Sequence, residues 1–154
     1  MIKHIKCDIF ESGADIICHQ VNCRGVMGSG IAKQVRERYP WVYAHYKRLC
    51  NNNSPNVIIG SAQLVYINET QAICNCFGQL SYGSDGACYT SYGALDGIFN
   101  YLKREFQGKN AVIAFPFLFG CARGGGNWSI VYNMIEDIFD DYDGDILICE
   151  YNGG

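Results

Sequence analysis

Apolar residues recur along this chain in two rhythms. Short runs rich in β-branched and aromatic residues occupy 2–7, 14–21, 61–67, 71–77, 111–117 and 145–151, each bounded by Gly, Asn, Asp or Ser. Runs of that length and composition predict strands. "INETQ", between the third and fourth, reads as a turn, so that pair is expected to be an antiparallel hairpin.

Elsewhere the spacing changes to three and four. "GIAKQVRERYP" places Ile31, Val35 and Tyr39 at intervals of four and stops at Pro40; a second helix is expected through "WVYAHYKRLC". "YTSYGALDGIFNYLKREF" sets Tyr92, Leu95, Phe99, Leu102 and Phe106 on one face, with Thr90 or Ser91 as its N-cap. "NWSIVYNMIEDIFDDY" does the same with Val131, Ile135 and Ile138, capped by Asn127. Strands alternating with helices predict an α/β fold with a mixed sheet, and 154 residues suit a single domain over 1–154. In such sheets ligands bind beyond the carboxyl ends of the strands. Three glycine-rich loops, 22–30, 78–90 and 116–127, each join a strand to a helix there.

Composition narrows the chemistry. With 49% hydrophobic and 18% charged residues the chain is globular. A net charge of -3 argues against a general nucleic-acid binder, although backbone amides and helix N-termini can still hold an anion without Lys or Arg. Nine cysteines, an odd number without a CxxC pair, fit neither a disulfide framework nor a paired-ligand zinc site, so no metal and no cofactor are expected. Free thiols in apolar runs and the lack of a signal-like or membrane-length segment lead to an expected cytoplasmic location without membrane attachment.

The first loop, "CHQVNCRGVMGSGIAKQ", fails both common phosphate-loop patterns. Gly25 and Gly30 have the P-loop spacing, but Ile31 and Ala32 replace its Lys and hydroxyl; Lys33 stands where the dinucleotide fingerprint needs its third Gly. The physical content survives. Backbone without Cβ atoms feeds a helix whose first amides, at Gly30, Ile31 and Ala32, point outward. A tight turn without a ligand is the alternative. In the second loop, "PFLFGCARGGGNW", four glycines precede a capped helix, an entropic expense easier to rationalise when a ligand approaches the backbone. Arg123 there could contact a charge or face solvent. The third loop, with Gly78, Gly83 and Gly86, is long enough to act as a lid.

"CDIF…ADIICHQVNCRGVMGSGIAKQVRERYP" closely resembles the first half of a macro domain, the fold that binds ADP-ribose, and "FPFLFGCARGGGNWSIV" resembles its second phosphate loop. The nearest likeness is to the stand-alone ADP-ribose-1″-phosphate phosphatase branch, with a His three residues before the ribose-site Asn, a G-x-x-G-x-G-I-A loop and an "RYP" helix end. The resemblance implies a three-layer α-β-α fold around a mixed sheet of about six strands. It implies a small-molecule ligand, ADP-ribose or its 1″-phosphate, bound by a monomer. Asp8, beside Ile9, would accept from the adenine amino group, a task that suits an acceptor-only carboxylate. Asn22 would position the distal ribose. Val26, Met27, Gly28, Ser29, Gly30 and Ile31 would hold ribose and diphosphate, and Phe119, Gly120, Cys121, Ala122 and Arg123 would close over the diphosphate from the other side.

His19 is either a satisfied core residue or, with Asn22, the catalytic group. It could donate a proton, activate water or attack phosphorus. In a regular strand residues 19 and 22 face opposite ways, so a twist near Val21 is required. Two departures bear on mechanism: Asn127 stands where relatives carry an acid, and the middle loop lacks the Lys that some deglycosylating relatives use. The expected activity is hydrolysis of ADP-ribose-1″-phosphate to ADP-ribose and phosphate. The alternatives are a non-catalytic reader of ADP-ribose and a hydrolase that removes ADP-ribose from protein or DNA.

Overall fold

The computed structural model describes residues 1–83, 85 and 87–151. Six strands form one sheet: β1 (Ile2–Lys6), β2 (Ile16–Asn22), β3 (Ala62–Tyr66), β4 (Ala72–Gln79), β5 (Ile113–Pro116) and β6 (Ile146–Glu150). Their order is β1-β6-β5-β2-β4-β3, parallel throughout except for the predicted hairpin of β3 and β4. Each strand falls within or beside its expected run.

Helices α1 (Gly30–Arg38), α2 (Pro40–Asn52) and the short α3 (Pro55–Ile58) cover one side of the sheet; α4 (Tyr92–Phe106) and α6 (Trp128–Ile138) cover the other. Pro40 breaks the first pattern where predicted and starts α2 at its first helical position, where its missing N–H is harmless. Ser91, not Thr90, caps α4, and Asn127 caps α6. Periodicity did not announce a 3-10 turn at Ile9–Glu11, α3, or the four-residue helix α5 (Cys121–Gly124) inside the second loop. Elements of one turn are too short to carry a period.

Alternation along β2 and β4 divides the core in two. Ile17, Val21, Ile73 and Phe77 pack with Val35, Val42 and Tyr46 on the α1–α2 side. Ile16, Cys18, Cys74 and Cys76 pack with Leu95, Phe99 and Ile135 on the other. These three layers are the architecture the resemblance implied.

The sheet also makes its own crevice. β2 pairs with β5 only at Ile16↔Ile113 and Ile17↔Ala114. Beyond that point β5 continues along β6 as far as Pro116↔Cys149, and β2 continues along β4 as far as Asn22↔Gln79. Two strands that part toward their carboxyl ends leave a gap at a switch in strand order, the place where open α/β sheets bind ligands.

Candidate functional site

A cavity of about 860 Å³ occupies that gap. His19 and Asn22 line it from β2; Val26, Gly28, Ser29, Gly30 and Ile31 from the first loop and α1; Gly120, Ala122 and Arg123 from the second loop. A second hollow of about 670 Å³, lined by Asp8 and Ile9, shares Ile31, Pro116, Phe117 and Leu118 with the first. The fold thus brings most of the expected residues to one groove. Met27, Phe119 and Cys121 are the exceptions among those named for ligand contact. All three are buried in the core and line neither hollow, because each is the apolar anchor that fastens its loop to the sheet.

The first loop is held by side chains. Asn22 Oδ1 accepts from the Arg24 amide at 2.9 Å, and Asn22 Nδ2 donates to the Val26 carbonyl at 2.8 Å. The buried Tyr46 hydroxyl, from α2, sits 2.8 Å from the Asn22 carbonyl and 2.9 Å from its Oδ1. Burial pushes this phenol's pKa far up, so it stays a donor at every accessible pH. Lys47 Nζ adds a 3.3 Å bond to the Gly25 carbonyl. α1 makes its first intrahelical bond from Lys33 to Ser29 at 3.2 Å. The amides of Gly28, Ser29, Gly30, Ile31 and Ala32 consequently donate to nothing among the described residues, the condition for an anion cradle at the start of a nine-residue helix.

The second loop is held by its backbone. Leu118 and Phe119 take positive φ values of 69° and 43°, conformations a side chain resists. The amides of Phe119, Cys121, Arg123 and Gly124 donate to carbonyls within the segment, whereas those of Gly120 and Ala122 donate to none among the described residues. Both of the latter residues line the cavity. The alternation splits the expected contact run: 120 and 122 can offer amides, 119 and 121 cannot. The charge of Arg123 is exposed, with Nε lying 3.7 Å from where a β-carbon on Gly30 would sit.

Gln20, which the sequence reading passed over, joins the two loops. Its Nε2 donates to the Phe119 carbonyl at 2.8 Å across the gap between β2 and β5, while its Oε1 is buried without a partner. A Gln within the apolar run "ADIICHQV", immediately beside His19, was the available signal. Gln79 and Tyr82, from the third loop, also border the cavity. The lid expected there lies partly outside the described residues, since these omit Gly86.

His19 is 2% exposed. Its Nε2 lies 2.6 Å from Asn75 Oδ1, and its Nδ1 has no partner and no contact with bulk water. Burial pushes its pKa down to about 4 against a smaller upward pull from Asn75, so the ring is neutral at pH 7. A buried acceptor without a donor costs roughly 1–3 kcal/mol. The conflict of faces between residues 19 and 22 is resolved by the ladder, whose register shifts between Val21 and Asn22. Both residues reach the same cavity, and Asn22 turns toward Tyr46.

Asp8 caps the 3-10 turn through the Phe10 amide at 3.0 Å and lies 3.6 Å from Arg38, whose guanidinium stacks 4.4 Å over the Phe10 ring. Its neighbours in the second hollow include Gln34, Phe117 and Tyr151, the aromatic and polar surroundings a flat heteroaromatic ring requires. The tail beyond Tyr151 lies outside the described residues. Asn127 is committed to capping α6, accepting from Ser129 at 2.9 Å.

All nine cysteines are free thiols. The sulfurs of Cys18, Cys74 and Cys76 lie within 4.8 Å of one another, a spacing a soft metal ion could use. They are fully buried on the α4 side of the sheet; burial pushes the thiols of Cys18 and Cys76 up, whereas hydrogen bonds from those two pull Cys74 down. None of the described residues lining the larger cavity is Asp, Glu, Lys or Cys. No helix of the described residues is long and apolar enough to cross a membrane.

No protein-family model matches the chain. It is 29% identical over its full length to the DNA ADP-ribosyl glycohydrolase of Mycobacterium tuberculosis, of which it covers 43%. Over 66% of its length it is 34% identical to the ADP-ribose 1″-phosphate phosphatase of Saccharomyces cerevisiae, of which it covers 56%. The chain therefore spans about half the length of these curated relatives. Among solved structures, the macrodomain of Mycobacterium tuberculosis DarG matches 100% of this chain and 99% of its own, with a TM-score of 0.80 and 25% identity. With strand order, both loops and the groove between them all in place, the chain belongs to the macro domain family.

Proposed function

We propose that this protein binds ADP-ribose-1″-phosphate and hydrolyses its terminal phosphate. One observation carries the reading: two loops, from strands that part, present uncommitted amides to a single cavity with His19 at its base. Gly28 to Ala32 would hold one side of the diphosphate, and Gly120 and Ala122 the other. The adenine would lie against Phe10 and Phe117, with Asp8 accepting from its amino group. Asn22 would brace the loop around the distal ribose instead of contacting it with both amide atoms.

Phosphoryl transfer depends mainly on positioning and charge stabilisation, which amides supply. In hydrolysis the bond between phosphorus and the ribose 1″-oxygen breaks, water supplies the new P–O bond, and the departing oxygen takes a proton. A neutral His19 suits the role of base or nucleophile, not that of proton donor. The absence of carboxylate, lysine and thiol among the described lining residues supports a metal-independent reaction.

Removal of ADP-ribose from DNA or protein is the second reading, favoured by the likeness of the whole chain to 43% of a DNA ADP-ribosyl glycohydrolase. Among the described residues lining the cavity none is Asp or Glu, the carboxylates that glycosidic cleavage ordinarily uses. A substrate panel separates them. Phosphate release from ADP-ribose-1″-phosphate in EDTA is expected, falling about a hundredfold or more in His19→Ala. Release of ADP-ribose from modified DNA or protein instead would establish the second reading. Calorimetric binding of ADP-ribose without any product would make the protein a reader.

A further inference from the structure

Three side chains form a hydrogen-bonded row across the sheet beneath His19. His19 on β2, Asn75 on β4 and Gln63 on β3 are cross-strand partners in register. His19 Nε2 meets Asn75 Oδ1 at 2.6 Å, Asn75 Nδ2 meets Gln63 Oε1 at 3.0 Å, and Gln63 Nε2 meets the backbone carbonyl of His45, on α2, at 3.2 Å.

The last member sets the direction of all the others. A backbone carbonyl can only accept, so Gln63 must turn its NH₂ toward His45 and its oxygen toward Asn75. Asn75 must then donate to Gln63 and turn its own oxygen toward His19. Facing an acceptor, His19 Nε2 has to carry the ring proton. Reversing any amide would set oxygen against oxygen or nitrogen against nitrogen at hydrogen-bond distance. Asn75 is fully buried and has no other partner to turn to among the described residues.

We propose that Asn75 and Gln63 are positioning residues that lock His19 as its Nε2–H tautomer, leaving Nδ1 as the lone-pair nitrogen of a residue that lines the cavity. Among the described residues Nδ1 has no hydrogen-bond partner, although His19 lines the cavity. In this tautomer any role as base or nucleophile falls to Nδ1, which makes no contact with solvent in the free protein; that nitrogen cannot deliver a proton. The catalytic consequence rests on the phosphatase reading, whereas the tautomer itself does not.

Long-range proton–nitrogen NMR on histidine-labelled protein tests the lock, with His4→Gln and His45→Gln assigning the other two rings. The wild type should show His19 protonated at Nε2 alone. Gln63→Met removes the acceptor that orients Asn75 at a half-exposed position outside the cavity, and should give mixed tautomers at His19. Gln63→Glu keeps an acceptor toward Asn75 and, with its second oxygen free to swing from the His45 carbonyl into solvent at this half-exposed position, should restore the single tautomer. Turnover of ADP-ribose-1″-phosphate should follow the competent fraction, with kcat falling about twofold for an even mixture and KM unchanged, because the amide cradles are untouched. A wild-type His19 protonated mainly at Nδ1, or nitrogen signals unmoved by Gln63→Met, overturns the lock. Tautomers that respond as expected while the wild type shows no turnover uphold the lock and overturn the phosphatase reading.

Discussion

The two loops that face each other across the groove have the same task and reach it by opposite means. The loop after β2 takes left-handed angles at two glycines, Gly25 and Gly30, and is braced by side chains: Asn22 folded onto Arg24 and Val26, Tyr46 beneath it, Lys47 at its edge. The loop after β5 has few bracing side chains. It runs through left-handed backbone at Leu118, Phe119, Gly120 and Gly125 and packs its glycines against the third loop. A side-chain brace can be trimmed atom by atom, whereas a backbone cradle tolerates almost nothing. The sensitivities of the two loops to substitution should therefore differ in kind.

The largest effect belongs to the backbone cradle. Gly125 has φ +71°, and a β-carbon there would lie 2.4 Å from the Ala87 carbonyl oxygen and 2.9 Å from Cys88 Cα. Neither neighbour is the flexible end of a side chain. Strain from the left-handed angle and the backbone clash together should make Gly125→Ala lose about 3–4 kcal/mol of stability, read from the urea midpoint. In the first loop, a β-carbon on Gly28 would meet only Val26 Cγ1 at 3.5 Å, so Gly28→Ala should stay within about 0.5 kcal/mol. Equal losses at the two sites would erase the contrast.

Acid should act on the side-chain-braced half. The folded pKa of His19 lies near 4 against an ordinary 6.5, so the unfolded chain takes the proton first as pH falls. The stability contributed by neutral, buried His19 is complete above pH 6.5, declines below it, and is exhausted near pH 4, a loss of roughly 3 kcal/mol. The second loop's buried thiol, Cys121, is pushed up to about 11 by burial and adds nothing in this window. Urea midpoints at pH 7 and pH 4.5 for wild type and His19→Gln isolate the effect; an equal fall in both proteins would remove His19 as its source.

Much of this architecture was legible because it is local. Short β-branched and aromatic runs marked six strands, spacing of three and four marked the long helices, Pro40 marked the end of the first, and Thr90 or Ser91 the start of α4. What stayed hidden depends on residues far apart in the chain. No periodicity reveals that the ladder shifts between Val21 and Asn22, which alone allows His19 and Asn22 to share a cavity. The Asn75–Gln63 row appears only once β3 and β4 are placed in register beside β2. Met27, Phe119 and Cys121 sit in glycine-rich contact runs, and nothing local says that their side chains turn inward as anchors. Gln20 was overlooked because its partner, the Phe119 carbonyl, lies ninety-nine positions away.

Removal of the Tyr46 hydroxyl should give a smaller loss. Tyr46→Phe keeps the ring stacked against Phe77, at 5.7 Å between centroids, and deletes only the donor beneath Asn22. One buried hydrogen bond is worth about 1–1.5 kcal/mol, and that is the stability change expected at pH 7. ADP-ribose affinity, measured by calorimetry, should fall along with it, because the Asn22 amide then has only Arg24 to hold its oxygen. Unchanged affinity in a destabilised Tyr46→Phe protein would mean that the first loop needs no brace to shape its amides.

Arg123 should give the smallest effect and the clearest sign of which forces hold the ligand. It is the one cation among the described residues lining the larger cavity, and it spans from the second loop to Gly30 of α1. If amides carry the diphosphate, an exposed guanidinium adds only about 0.5 kcal/mol, so Arg123→Ala should weaken ADP-ribose binding two- to threefold without moving the urea midpoint. That difference should vanish near 0.5 M salt, where exposed charges are screened, while the amide contribution persists. A loss of a hundredfold or more at low salt would show that the second loop works through its charge, and the two loops would then differ in chemistry as well as in construction.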